Sequence, residues 1–393
     1  MVIEKCRNII ALSIVYFFRL FPIKKNKLFF YSYYGSQYGC NPRYLTEYIL
    51  KNYPKGYFDI VWAFNDLSKR ESMKDMRIVK TMSLRYFYDL CTAKVVITNF
   101  RTNDIFMKRK SQYYIQTWHS SLRLKQIEKD TESTLAASYI KMAKKDSRKC
   151  DLLLSGCQYS TDIFRRSFWY EGEIFEYGTP RNDLLFAQPQ NIRQELLSEL
   201  NIPAHKKIYL YAPTFRNNND VTVYQLEFNM LKQALEDKFG GEWLCLVKLH
   251  PHLLSQSYEI INDKNVIDVT KHQDIQELLM IADVLITDYS SLMFDYAISK
   301  KPCFLYIPDY KSYIKNERNL YFDVKDLPFP AAETFPILIE QLKKHDYKQY
   351  QAKVKRFLNS IGTFENGHAS KMLAEKINEI CFEENRREMN EAV

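Results

Sequence analysis

The feature that most restricts this chain is a series of short segments apolar on both faces, each followed by a helical stretch, which halts near residue 186 and then begins again. Residues 27–35 (KLFFYSYYG), 58–65 (FDIVWAFN), 94–100 (KVVITNF), 112–117 (QYYIQT), 151–155 (DLLLS) and 173–178 (EIFEYG) read as strands. Residues 42–52 read as a helix, with Asn41 as its cap and Pro42 in its first turn. Residues 83–93 and 159–168 also have helical spacing. Residues 186–207 are polar, contain two prolines and a short helix, and form the best candidate for a linker. The pattern resumes with strands at 207–212, 243–249, 266–270, 283–287 and 303–307, and helices at 273–282 and 291–300. Strands apolar on both faces that alternate with helices imply a parallel sheet. The expected fold is therefore α/β, with two doubly wound, Rossmann-like halves, 27–190 and 200–393, and a cleft between them.

Composition supports two real cores. Of 393 residues, 46% are hydrophobic, and glycine is scarce at 10, which argues against a disordered chain. The eight cysteines form no CxxC pair and show no zinc spacing, so they read as buried free thiols of a reduced compartment. The net charge of +9 is uneven. Residues 1–30 hold six Lys/Arg against one Glu, and residues 101–150 hold twelve Lys/Arg against five acids. Such surfaces attract anions: phosphorylated substrates, acidic lipid or nucleic acid. The basic residues are not interleaved into any nucleic-acid module, so no nucleic-acid partner is expected.

Residues 9–23 (IIALSIVYFFRLFPI) are apolar, flanked by Lys5, Arg7, Lys24, Lys25 and Lys27, interrupted by Arg19 and closed by Pro22. The run falls short of the roughly 20 residues of a spanning helix, and no small-residue cleavage site follows it. A helix lying in the interface, with its cations on anionic headgroups, fits better. Residues 1–26 are thus expected to associate with the cytoplasmic face of a membrane; a buried first helix is the plainer alternative.

Ligands of open α/β sheets bind beyond the carboxyl ends of the strands, and polar residues cluster there. His119 follows the strand at 112–117, within QTWHSS, with Arg123 and Lys125 nearby. Thr214 and Arg216 follow the strand at 207–212, within YAPTFR. His250 and His252 follow the strand at 243–249, within KLHPH, where Lys248 adds a cation and Pro251 stops the strand. Asp288, Ser290 and Ser291 follow the strand at 283–287, within TDYSS. Histidine serves as general base, arginine as a bidentate phosphate ligand, and the start of the helix after TDYSS as an anion site. Each motif alone also has a structural reading: a satisfied histidine, a surface ion pair, a simple N-cap. Walker glycines, GxGxxG, DxD and metal-ligating clusters are absent from the sequence.

Taken in order, QTWH, YGTPRND (177–183), YAPTFR, KLHPH, TDYSSLMFDYA and Pro302, Asp309, Tyr313 and Arg318 resemble the CDP-glycerol glycerophosphotransferases of teichoic acid and capsule synthesis. The resemblance runs from about Tyr31 onward. It implies a GT-B arrangement, peripheral membrane attachment, no metal or other cofactor, a CDP-glycerol or CDP-polyol donor and a lipid-linked saccharide acceptor. An acceptor hydroxyl would attack the β-phosphorus and CMP would leave. By the same carry-over His119 is the base and His250 stabilises the donor pyrophosphate. Thr214, Asp288, Ser290 and Ser291 line the donor phosphates, and Arg216, Lys248 and Arg318 add positive charge. The chain departs from the family pattern at Ser120, Ser121 and Leu122, where glycine, threonine and proline are usual, at Asn319, and at Asn366-Gly367. Two other readings stay open: a GT-B glycosyltransferase using a nucleotide sugar, and a non-catalytic membrane-bound scaffold.

Overall fold

The computed structural model describes residues 2–68, 73–216, 221–250, 252–253, 257–261, 263, 265–316 and 319–383. Its strands form two parallel sheets. The first contains β1 (Lys24–Tyr31), β2 (Asp59–Phe64), β3 (Arg77–Lys80), β4 (Ala93–Thr98), β5 (Tyr113–Gln116), β6 (Leu152–Leu154) and β7 (Glu173–Phe175), in the order β3-β2-β1-β4-β5-β6-β7. The second contains β8 (Lys207–Tyr211), β9 (Trp243–Val247), β10 (Val266–Asp268), β11 (Val284–Thr287), β12 (Cys303–Tyr306) and β13 (Ala331–Ala332), in the order β10-β9-β8-β11-β12-β13. Both are doubly wound, so each sheet reverses its strand order once, between β1 and β4 and between β8 and β11.

The strands are apolar on both faces because both faces are covered. In β1, Leu28 and Phe30 join a core with Trp62, Val95, Ile97 and Leu152, while Phe29 joins another with Val61, Val96, Phe87 and Leu90. Alternate residues of one strand therefore serve two cores. In the second sheet Tyr209, Tyr211, Val247, Val284, Ile286 and Phe304 pack with Leu231, Leu235, Leu338 and Leu342.

The chain divides into two units. One comprises the described residues up to His119, Ile127–Asp183 and the segment from Phe364 on; the other comprises Ser120–Gln126 and Leu184–Thr363. This corrects the sequence boundaries in two ways. The linker expected at 186–207 is packed structure: its helix Gln190–Glu199 buries Leu196 and Leu197, and Arg193 donates to Ile281 O at 2.7 Å. The residues from Phe364 on leave the second unit, because Leu373, Ala374, Ile377, Ile380 and Cys381 complete the core under β1 and β2. Asp183 fixes that return by accepting the N–H groups of Ala369 (3.0 Å) and Ser370 (2.7 Å) at the start of the helix Ala369–Asn378.

The opening helix, Val2–Phe18, buries Ala11 and Val15 against the first sheet, and Phe18 meets Tyr88 edge-on at 5.6 Å. Ile9, Ile10, Tyr16, Phe17 and Leu20 are each more than half exposed. Among the described residues no helix is long and apolar enough to cross a membrane.

Candidate active site

In the first unit the site is built at the end of β5. Gln116, the last residue of β5, is buried. Its amide nitrogen donates to Phe100 O at 2.7 Å, and its amide oxygen accepts the Trp118 N–H at 3.0 Å, which turns the chain sharply. Trp118 sits in the left-handed region (φ 49°), a conformation that costs an L-residue about 1–2 kcal/mol and must be held by its surroundings. Asn41 holds it: its amide nitrogen donates to Thr117 O (3.1 Å) and Trp118 O (3.2 Å), and its amide oxygen accepts the Arg181 N–H at 3.1 Å. Asn41 therefore does not cap its helix. That helix, Cys40–Asn52, begins two residues earlier than expected, with Gly39 as its N-cap and no side-chain cap bond. A short polar residue before proline reads as a cap in sequence, but here the buried amide pairs with three main-chain groups instead. The result presents His119 on the surface, its ring stacked on Trp118 at 4.6 Å. Trp118 in turn meets Phe168 edge-on at 4.9 Å. YGTPRND lies close by: Arg181 is buried against Cys40 Sγ, and Glu365 accepts from Thr179 and Asn182.

In the second unit four loops leave the carboxyl ends of β8, β9, β11 and β12. Arg216 is buried, and its guanidinium is fully engaged: Nε donates to Asp309 at 2.7 Å, one terminal nitrogen to Asp309 at 3.1 Å, and the other pairs with Asp288 at 2.8 Å. Burial disfavours its charge, but the two carboxylates outweigh that and hold it protonated. Tyr289 and Tyr313 stack at 3.6 Å, and the guanidinium lies 4.9 Å from each ring centroid. Asp288 also accepts the N–H groups of Thr214 (2.9 Å) and Tyr289 (2.6 Å). The phosphate contacts expected of Arg216 and Asp288 thus give way to an ion pair that joins three loops. A carboxylate so placed would repel phosphate rather than bind it.

Lys248 departs similarly. Its ammonium donates to Thr270 O (2.7 Å) and His272 O (2.5 Å), and burial lowers its pKa. It ties the β9 loop to the β10 loop.

The other expected donor-site residues are less committed. Thr214 Oγ1 is buried and makes no hydrogen bond among the described residues. Ser290 Oγ accepts from Leu292 N, and Ser291 Oγ accepts from Leu124 N, each at 3.3 Å. The helix after them, Leu292–Ala297, has only six residues, so its own dipole is weak. His250 is exposed at the end of the β9 loop, with Phe215 at 5.2 Å and a stacked His252 at 4.9 Å. Its Nδ1 accepts the His252 N–H at 3.3 Å, so the neutral ring carries its proton on Nε2 and is a donor there. Its pKa is lowered by partial burial and by the charges of His252, Lys248 and Lys125. Arg318 and Pro251 lie outside the described residues. Among the described residues no group of three or more His, Cys, Asp or Glu is placed to hold a metal ion.

Residues 13–379 match the model of the CDP-glycerol:poly(glycerophosphate) glycerophosphotransferases. The chain belongs to that family. A teichoic acid poly(glycerol phosphate) polymerase of Bacillus spizizenii is 33% identical over 370 residues, covering 91% of this chain and 93% of that protein. A polymerase of the same description from Staphylococcus epidermidis is 34% identical over 376 residues, but this chain, matched over 92% of its own length, spans only 52% of that protein. A teichoic acid glycerol-phosphate transferase of Staphylococcus aureus is 32% identical over 378 residues, covering 90% of this chain and 93% of that protein. Among solved structures, the wall teichoic acid polymerase TagF superposes with a TM-score of 0.82 at 31% identity, covering 98% of this chain and 97% of that one. A UDP-N-acetylglucosamine 2-epimerase from Listeria monocytogenes (TM-score 0.53, 11% identity, 92% of this chain and 98% of that one) shares the fold alone.

The resemblance seen in the motifs is thereby a family relationship. Sequence reasoning named the strand-end residues but read Asn41 only as a helix cap and Gln116 only as part of QTWHSS, whereas their amides set the His119 turn. Asp309 and Tyr313 appeared only as family positions; the cage they form around Arg216 depends on distant loops converging.

Proposed function

We propose that this chain transfers glycerol phosphate, or a related polyol phosphate, from a CDP-activated donor to a hydroxyl of a membrane-linked acceptor and releases CMP. The observation that carries the reading is the His250 imidazole, a neutral Nε2–H donor fixed by its own neighbour, one strand from the β8/β11 reversal. Its proton is directed to a phosphate oxygen of the donor. Thr214, Ser290 and Ser291 supply hydroxyls to the same phosphates, and Arg318 adds charge. His119 takes the proton of the attacking hydroxyl as the oxygen bonds to the β-phosphorus and the bond to CMP breaks. Phosphoryl transfer rests on positioning and charge neutralisation, which such a set provides. Arg216, Asp288 and Lys248 act through the loops they hold.

The exposed apolar side of the helix Val2–Phe18, with Lys24 and Lys25 beyond it, supports peripheral attachment to an anionic cytoplasmic membrane face, where a lipid-linked saccharide acceptor would be met. The reading is tested with the full chain, radiolabelled CDP-glycerol, CDP-ribitol or nucleotide sugars, and membrane-lipid acceptors, scoring CMP release. Release from a CDP-polyol that is lost in folded His119→Ala and His250→Ala supports it. Turnover retained in both variants, or seen only with nucleotide sugars, overturns it.

A further inference from the structure

Two of the cations that the sequence placed at the donor phosphates are committed elsewhere in the structure, Arg216 to Asp288 and Asp309, and Lys248 to two carbonyls. A doubly charged diphosphate held by hydroxyls, one neutral imidazole and Arg318 alone would still be short of one positive charge. We infer that Lys125 supplies it, as a diphosphate-binding residue of the second unit. This inference rests on the functional reading given above.

Three observations place Lys125. The short segment that carries it belongs to the second unit and is stitched in on both sides. Gln126 N donates to Asn319 O at 2.8 Å, Tyr321 N donates to Leu124 O at 2.7 Å, and Lys125 pairs with Leu320 in an antiparallel bridge. The preceding residue touches the donor motif directly, since Leu124 N donates to Ser291 Oγ at 3.3 Å. The ammonium itself lies 5.3 Å from the centroid of Tyr313, whose ring stacks on Tyr289, the residue between Asp288 and Ser290. Its field also reaches His250 from this position. A half-buried ammonium on a fixed main chain, one residue from the contact with Ser291 and with its field on the histidine, has the chemistry of a phosphate cation.

The test uses the full chain with Lys125→Met and Lys125→Arg, both checked for an unchanged melting curve. Calorimetric binding of inorganic pyrophosphate and of CDP-glycerol is expected to weaken about tenfold or more in Lys125→Met, to become less sensitive to salt, and to recover largely in Lys125→Arg. NMR titration of His250 should show its midpoint rising in Lys125→Met and returning in Lys125→Arg, which reports the cation near the histidine. Pyrophosphate binding within twofold of the wild type in folded Lys125→Met overturns the inference, as does a wild-type chain that binds no pyrophosphate. Failure of the functional reading is a separate result: a wild-type chain that binds pyrophosphate through Lys125 yet turns over no CDP-activated donor.

Discussion

At the scale of single residues, the site depends on side-chain amides as much as on histidines. Asn41 bonds to three main-chain groups around Trp118, so its loss frees the turn that presents His119. In Asn41→Asp the carboxylate would face two carbonyl oxygens. A displacement of about 1 Å at a reacting group costs on the order of a hundredfold. Steady-state assays of folded Asn41→Asp should therefore show kcat reduced at least tenfold, with the donor KM little changed, because the donor contacts proposed here lie in the other unit. A matching fall in donor affinity would contradict this. The lowered pKa of His250 carries a pH sign as well. The folded state resists protonating this ring more than the unfolded state does. As pH falls below the ordinary histidine range the unfolded chain binds the extra proton, and stability is lost; above that range the effect vanishes. His250→Gln should flatten this acid-side loss in urea unfolding series run across pH.

At the scale of elements, the loops after β8, β11 and β12 stand or fall with one buried cation. Arg216→Met would leave the buried Asp288 and the partly buried Asp309 without their partner, at a cost of about 3–5 kcal/mol. Urea denaturation should register it as a large fall in midpoint. Asp183→Ala, which removes the cap of the helix Ala369–Asn378, should cost only about 1–2 kcal/mol. How far these elements were legible follows from the same physics. Most strands announced themselves, because a run such as FDIVWAF has to be buried on both faces. β3 and β13 did not: each is a short strand at a sheet edge, Arg77–Lys80 and Ala331–Ala332, with few residues to carry a pattern. Site residues at strand ends were legible from position alone. Their partners were not. Whether Arg216 meets phosphate or two aspartates depends on Asp309, 93 residues away, and periodicity carries no information on such pairs.

At the scale of the whole molecule, the opening helix shows two characters. Ala11 and Val15 seal the first sheet, whereas Ile10 and Phe17 face outward. If that outward face rests on lipid, Ile10→Asp combined with Phe17→Asp should reduce sedimentation with anionic vesicles while leaving the melting temperature nearly unchanged. Raised salt should weaken the wild-type association through the basic residues nearby. Equal sedimentation of both proteins would remove the helix from that role.

The return of the chain to its first unit also bears on how the protein is made. Leu373, Ile377 and Ile380 belong to the same core as Leu28 and Trp62, yet about 180 residues of the second unit intervene. On a ribosome adding roughly 5–20 residues per second, the strands around β1 wait about 10–40 s with that face uncovered. Synthesis therefore imposes an order in which the second sheet is complete before the first is sealed. The interval leaves apolar strands open to wrong pairing, so the yield of native protein should depend on translation speed and on chaperones that shield the first unit during the wait.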